Sequence, residues 1–170
     1  MKIRLLAVLN VVTLCCLLSQ TSLSKKHDGG NLGLGLMIGG PTAITGKLIL
    51  SSENAVDFGL GFNFDNSYTV YGDYLFLYPG AIKTNTQFFN ELVPYFGVGP
   101  IISWYYSRDH RWSAKDRYYS TLVGARVPFG LAWRTPKHPL EIFLEVAPTL
   151  DIIPGLYLGL DAGLGARYFF

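Results

Sequence analysis

The chain has 170 residues, of which 49% are hydrophobic, 15% aromatic and 15% charged, with a formal charge of +2. That length suits one domain, the composition is too apolar for a disordered chain, and the charge is too close to neutral for the broad basic field that nucleic-acid binding needs.

Lys2 and Arg4 precede an apolar run from Leu5 to Leu18, and Ser19 to Ser24 then turn small and polar. A charged n-region, an h-region and a cleavage-type segment in that order predict a signal peptide over 1–24 and a mature domain over 25–170. The apolar run is about 14 residues long, whereas a spanning helix needs roughly 20. An uncleaved anchor is the alternative. Cys15 invites a lipoprotein reading, but Val12-Thr13-Leu14 before it lacks the usual Leu followed by small residues. Both cysteines, Cys15 and Cys16, fall in the leader, so neither a disulfide framework nor a thiolate metal site is expected in the mature domain. Lys2 and Arg4 also carry the excess charge, and basic and acidic residues otherwise balance at 12 each.

Past the leader no apolar run is long enough for a transmembrane helix. Period-2 alternation takes over instead. It is clearest in Ala55-Val56-Asp57-Phe58-Gly59-Leu60-Gly61-Phe62, where even positions are apolar and, after Ala55, odd positions are glycine or charged. Eight such segments are predicted, at 32–38, 43–50, 55–64, 68–77, 92–104, 121–133, 140–149 and 156–170. Turn residues separate them at Gly39-Gly40-Pro41, Ser51–Asn54, Asp65–Ser67, Thr135–Pro139 and Pro154-Gly155. The longer connections are 78–91 and 105–120. Pro94, Pro100, Pro128 and Pro148 lie inside the predicted strands. Proline donates nothing to a ladder, so these four are expected at bulges or strand ends.

The two strand faces differ. One carries large apolar residues such as Leu36, Ile44, Phe58, Leu60, Phe96, Leu131, Leu144 and Leu164. The other carries glycines and Lys47, Asp57, Asp73, Arg126, Glu141, Glu145, Asp161 and Arg167. An eight-stranded barrel encloses just enough space to be filled by side chains, and the large set is too bulky for it. Lipid suits that set, and a closed barrel satisfies every backbone group that lipid would leave unpaired. The expected fold is therefore all-β, an eight-stranded antiparallel up-and-down transmembrane barrel. A soluble β-sandwich with the large face buried between two sheets is the alternative. Aromatic residues cluster at segment ends: Trp104, Tyr105, Tyr106, Tyr118 and Tyr119 at one rim, and Tyr78, Trp133 and Tyr168-Phe169-Phe170 at the other. Two such belts are what bilayer interfaces select.

The final strand, Asp161-x-Gly163-x-Gly165-x-x-Tyr168-x-Phe170, resembles the C-terminal assembly signal of bacterial outer-membrane proteins. The resemblance implies recognition by the barrel assembly machinery. The mature chain as a whole resembles the small eight-stranded barrels related to the transmembrane domain of outer membrane protein A. Gly40-Pro41-Thr42-Ala43-Ile44-Thr45-Gly46-Lys47, followed by Ala55–Gly61, is similar to a motif of a largely uncharacterised branch of that group. The resemblance implies an outer-membrane location in a diderm bacterium, contact with its lipid and lipopolysaccharide, and a structural, adhesin-like or ligand-binding role with a host or extracellular protein as a further partner. A peptidoglycan-anchoring role is not expected, because no such domain follows the barrel pattern.

The inward charges, three basic and five acidic, predict a paired and hydrogen-bonded plug rather than a pore. The segment 107–117 places Arg108, Arg111, Lys115 and Arg117 against Asp109 and Asp116, with His110 and Trp112 between them. On the far side from a periplasmic N-terminus it becomes a surface loop suited to lipopolysaccharide phosphates or an acidic protein patch. The remaining connections on that side are short. A lipid-modifying enzyme would need a histidine near a nucleophile. His27 precedes the barrel, His138 lies in a turn, and only His110, beside Asp109, Ser107 and Ser113, offers that arrangement. No G-x-S-x-G motif, phosphate loop or histidine metal spacing occurs, so neither a catalytic residue nor a cofactor or metal is expected.

Overall fold

A computed structural model describes residues 30–62, 67–106, 119–135 and 138–170. The predicted signal peptide and the basic loop, with Arg108, His110, Arg111, Trp112, Lys115 and Arg117, lie outside the described residues.

Strands make up most of the described chain: β1 (Leu32–Gly40), β2 (Thr42–Ile49), β3 (Asn54–Phe62), β4 (Ser67–Leu77), β5 (Leu92–Tyr106), β6 (Tyr119–Arg126), β7 (Phe129–Arg134), β8 (Leu140–Ile153) and β9 (Tyr157–Phe169). A single helical turn, α1 (Gln87–Asn90), interrupts the connection between β4 and β5. Every strand but β6 and β7 pairs antiparallel with its sequence neighbours, those two both pair with β5 and β8, and β1 pairs with β9, which closes the sheet. Closure leaves no edge and excludes the sandwich, because a sandwich splits the strands between two sheets.

Nine assigned strands occupy eight places in the ring. β6 and β7 are one strand broken at Val127-Pro128, and both pair with β5 and with β8. Arg126 faces Gly99 and Phe129 faces Phe96, so the register on β5 is the same on both sides of the break. Of the four prolines, only Pro128 ends a strand. Pro94, Pro100 and Pro148 sit within continuous strands opposite Leu131, Ala125 and Leu160. The register shift lies instead at Val123/Gly124. The expectation of bulges or strand ends is thus corrected for three of the four. Carbonyls at proline positions still accept ladder bonds, from Val127 N–H to Pro148 at 3.0 Å and from Gly97 N–H to Pro128 at 2.8 Å.

Period-2 alternation sorts the side chains as expected. Leu36, Ile38, Ile44, Leu60, Phe129, Leu144, Leu158, Leu160 and Leu164 face outward and are exposed. Lys47, Asp57, Asp73, Arg126, Glu141, Glu145 and Arg167 are buried inside. The interior is not limited to small and charged residues, however. Tyr71, Tyr95, Phe143, Phe169, Met37, Leu75 and Ile101 are also buried there. Glycines on neighbouring strands make room for the rings. A Cβ on Gly59 would lie 2.3 Å from the Tyr71 ring, one on Gly130 2.2 Å from the Tyr95 ring, and one on Gly165 2.4 Å from the Phe143 ring. Phe169 is one of these inward rings, 1% exposed, and so leaves the terminal aromatic belt to Tyr168 and Phe170.

Candidate functional site

The barrel interior holds two charge networks. The first lies near the rim that carries Gly30 and Phe170. Arg167 on β9 donates to Asp57 Oδ2 at 2.6 Å, to Glu141 Oε1 at 3.1 Å and to Thr45 Oγ1 at 2.7 Å. Lys47 reaches the same Glu141 at 3.0 and 3.1 Å. The Thr45 hydroxyl donates to Asp57 Oδ1 at 3.2 Å, and the Arg167 guanidinium lies 3.8 Å above the centre of the Phe143 ring. Alternation on β2, β3, β8 and β9 brings these residues together. Glu141 is the direct partner of Arg167, and Lys47 that of Asp57. Charges removed from water need partners of this kind, and here each carboxylate meets more than one donor.

The second network centres on Arg126. Its Nη2 bonds Glu145 Oε1, and the other Glu145 oxygen accepts the Tyr95 hydroxyl at 2.9 Å. Its Nε approaches Asp73 Oδ2 at 3.3 Å, an ion pair outside hydrogen-bond geometry. The guanidinium stacks over Tyr71 at 4.0 Å. Among the described residues, Tyr71 Oη, both Asp73 oxygens and Arg126 Nη1 have no hydrogen-bond partner, so this network is less complete than the first. Asp161, the eighth expected inward charge, is only half-buried. With Met37, Arg126 and Glu145 it lines a gap too narrow for a water molecule.

The interior charge cluster was legible from strand parity, but five of its partners were not singled out. Thr45, Tyr71, Tyr95 and Phe143 share the parity of the charged set, which was the available signal. Arg134 falls one residue beyond the predicted segment, which ends at 133, whereas β7 runs to Arg134. It points inward as the direct partner of Glu141 and covers the Phe169 ring at 3.9 Å, adding a fourth base. Among the described residues no group of three or more His, Cys, Asp or Glu side chains could hold a metal ion. His138 is exposed in the turn before β8.

The outer surface completes the site. Apolar side chains ring the middle of the barrel, and aromatic rings mark both ends. Tyr68, Trp104 and Tyr157 are exposed at the far rim, and Tyr78, Tyr168 and Phe170 at the terminal rim. No family model matches the chain, and no curated protein does. Solved structures do. The N-terminal β-barrel domain of Pseudomonas aeruginosa OprF aligns with a TM-score of 0.59 at 14% identity, covering 84% of this chain and 100% of that one. Neisserial surface protein A (NspA) aligns with a TM-score of 0.54 at 11% identity, covering 82% and 93%. The chain has the fold of these small eight-stranded outer-membrane barrels.

In this barrel the long connection at 78–91, for which the sequence offered no reason, is a folded collar. Asn90 clamps it, accepting from Thr84 N–H at 2.7 Å and donating to the Thr84 carbonyl at 3.0 Å. Phe88 on α1 packs against Trp133 of β7 with ring centres 5.5 Å apart, and Trp133 Nε1 donates to Glu91 at 3.0 Å. Phe88 and Phe89 remain 48% exposed. Their rings extend the aromatic belt at the terminal rim, where a bilayer interface accepts them. Asp161, Gly163, Gly165, Tyr168 and Phe170 all lie along or just after β9, the strand that closes the ring against β1.

Proposed function

We propose that the chain is exported to the outer membrane of a diderm bacterium and works there as a plugged barrel that displays a binding loop, without enzymatic activity of its own. The observation that carries this reading is the filled interior. Arg126 and Arg167 are each fixed between two carboxylates, Lys47 is held by Glu141, and rings pack over both guanidinium groups. A barrel closed along its axis acts through its ends and its outer wall.

Both described chain ends lie at one rim. With that rim on the periplasmic side, the connections after β1, β3, β5 and β8 emerge outside the cell. Two of these are short, a single residue between β1 and β2 and three residues between β8 and β9. The basic 107–117 segment is then the main surface for a ligand such as lipopolysaccharide phosphate or an acidic protein. The β9 residues Asp161, Gly163, Gly165, Tyr168 and Phe170 serve as the assembly signal.

Membrane fractionation tests the reading, combined with electrophoresis of unheated and heated samples. A heat-dependent mobility shift in the outer-membrane fraction is expected, with cleavage in the 107–117 segment when intact cells meet trypsin. Recovery as a soluble protein with no shift would overturn it.

A further inference from the structure

A cleft of about 420 Å³ opens at the terminal rim, between the start of β3 and the end of β4. Glu53 and Asn54 form one wall, Phe76 and Tyr78 another, and Pro79, Gly80 and Ala81 the lip. The backbone fixes this shape. Leu77 N–H donates to the Glu53 carbonyl at 2.8 Å, and Ala81 N–H returns to the Tyr78 carbonyl at 3.3 Å. Gly80 takes a left-handed φ of 75°, which lets the lip turn back tightly. Asn54 is occupied, with its amide and its carboxamide both donating to Ser51 Oγ at 3.1 and 3.2 Å. The Glu53 carboxylate is exposed and has no ion-pair partner among the described residues.

The aromatic wall continues toward the lipid face. Phe76 and Tyr78 both stack on Phe96, at 5.1 and 5.8 Å, and Phe96 stacks on Phe129 at 6.5 Å. All four rings are exposed on the outside of the barrel. The site therefore has an unpaired carboxylate at the water edge, ring faces at the interface and an aromatic strip at hydrocarbon depth.

We propose that this cleft binds the headgroup of an amine-bearing glycerophospholipid, with its ammonium on Glu53 and over the Tyr78 ring, and an acyl chain along Phe96 and Phe129. A carboxylate beside aromatic faces selects a cation. The depth of the strip selects a cation that carries a hydrocarbon chain rather than a free amine. An anionic lipid without an amine would meet the Glu53 charge as repulsion. Lys83, exposed two residues past the lip, lies close in sequence to where the lipid phosphate would sit.

This site rests on the membrane reading above, so the test separates the two. The full barrel, purified in detergent, is mixed with equal amounts of phosphatidylethanolamine and phosphatidylglycerol, and retained lipid is counted by native mass spectrometry. The same sample is checked for heat-dependent mobility. Retention of phosphatidylethanolamine about two- to fivefold above phosphatidylglycerol is expected, the scale of one exposed ion pair. Glu53→Gln should remove that preference, and Tyr78→Ala should reduce retention, with the heat shift intact in both. A folded barrel that retains the two lipids equally, or a Glu53→Gln variant that keeps the preference, would overturn the site. Absence of a heat shift in the wild-type chain would instead overturn the membrane reading.

Discussion

Asp57 and Asp73 stand directly opposite each other across the β3–β4 ladder, both buried, and each is neutralised by an arginine from a more distant strand. Arg167 on β9 takes Asp57, and Arg126 on β6 takes Asp73. Directly opposed like charges weaken a strand pair. The β3–β4 pairing thus depends on side chains that cross the lumen. Arg167→Leu leaves Asp57 without its cation and takes one of two from Glu141, and should lower unfolding stability by about 3–5 kcal/mol. Adding Asp57→Asn should recover part of that loss. Urea unfolding in lipid vesicles, followed by tryptophan fluorescence, measures both. Strictly additive effects would mean that the two groups do not interact.

Gly165 tests the ring packing in the same region. It faces Phe143 directly, and an added Cβ would sit 2.4 Å from that ring. The ring in turn supports the Arg167 guanidinium. Gly165→Ala should therefore cost about 1–3 kcal/mol, as overpacking does. Gly72→Ala is the control, because its Cβ would meet only one atom, at 3.8 Å, and should change stability by less than about 0.5 kcal/mol. Phe143→Leu combined with Gly165→Ala should regain part of the loss in the same unfolding assay. Gly165 is also a position of the proposed assembly signal, so its measured stability loss sets how much of any biogenesis defect is simple packing.

Pro148 offers a gain. Val127 N–H donates to the Pro148 carbonyl. In an antiparallel pair that geometry calls for a return bond from residue 148, which proline cannot make. The residue faces outward, so replacing it opens no internal cavity. An unpaired carbonyl in lipid costs several kcal/mol, against roughly 0.4–1 kcal/mol for the greater freedom of the unfolded chain without proline. Pro148→Ala should raise the urea midpoint and slow hydrogen exchange at Val127. A lower midpoint would show that the Val127 carbonyl is already satisfied.

The exterior can be probed by depth. Leu144 is exposed in mid-strand between Leu131 and Leu164, whereas Leu50 lies at the terminal rim. Leu144→Arg should cost about 2–4 kcal/mol in vesicles and Leu50→Arg about 0–1 kcal/mol. Equal effects at the two positions would mean that no hydrocarbon layer surrounds the barrel.

Alternation made the strands legible because each of them uses both faces. Asp57, Asp73, Arg126 and Arg167 announced the interior, and Leu60, Leu144 and Leu164 announced the exterior. What the sequence hid depends on pairing between distant segments. Nothing local marks Tyr71 and Tyr95 as interior rings until Gly59 and Gly130 are placed beside them. Pro100 reads as a strand breaker by itself, yet stays in the ladder because its neighbours hold the register. The 78–91 collar has no strand period, and its order comes from Asn90 closing on Thr84 and Phe88 reaching Trp133, contacts visible only once β7 is in position. The cleft at Glu53 likewise joins two turns far apart in the chain.

The basic loop yields the prediction closest to function. Arg108, Arg111, Lys115 and Arg117 outnumber Asp109 and Asp116, and Trp112 sits among them. A surface of this kind gains affinity through charge-assisted bonds to phosphate, so its binding should weaken with salt. Replacing the four basic residues with Gln should abolish capture of purified lipopolysaccharide by the detergent-solubilised barrel, while the heat-dependent mobility shift, a property of the strands, stays intact. Trp112→Ala should weaken capture with less change in its salt dependence, because that ring contributes contact area rather than charge. His110→Ala should leave the cell's lipid A profile the same as wild type. If it instead reproduced a change seen on deleting the whole protein, the loop would be an active site and the display role would fail. Capture that survives neutralisation of all four bases would move the binding surface away from this loop.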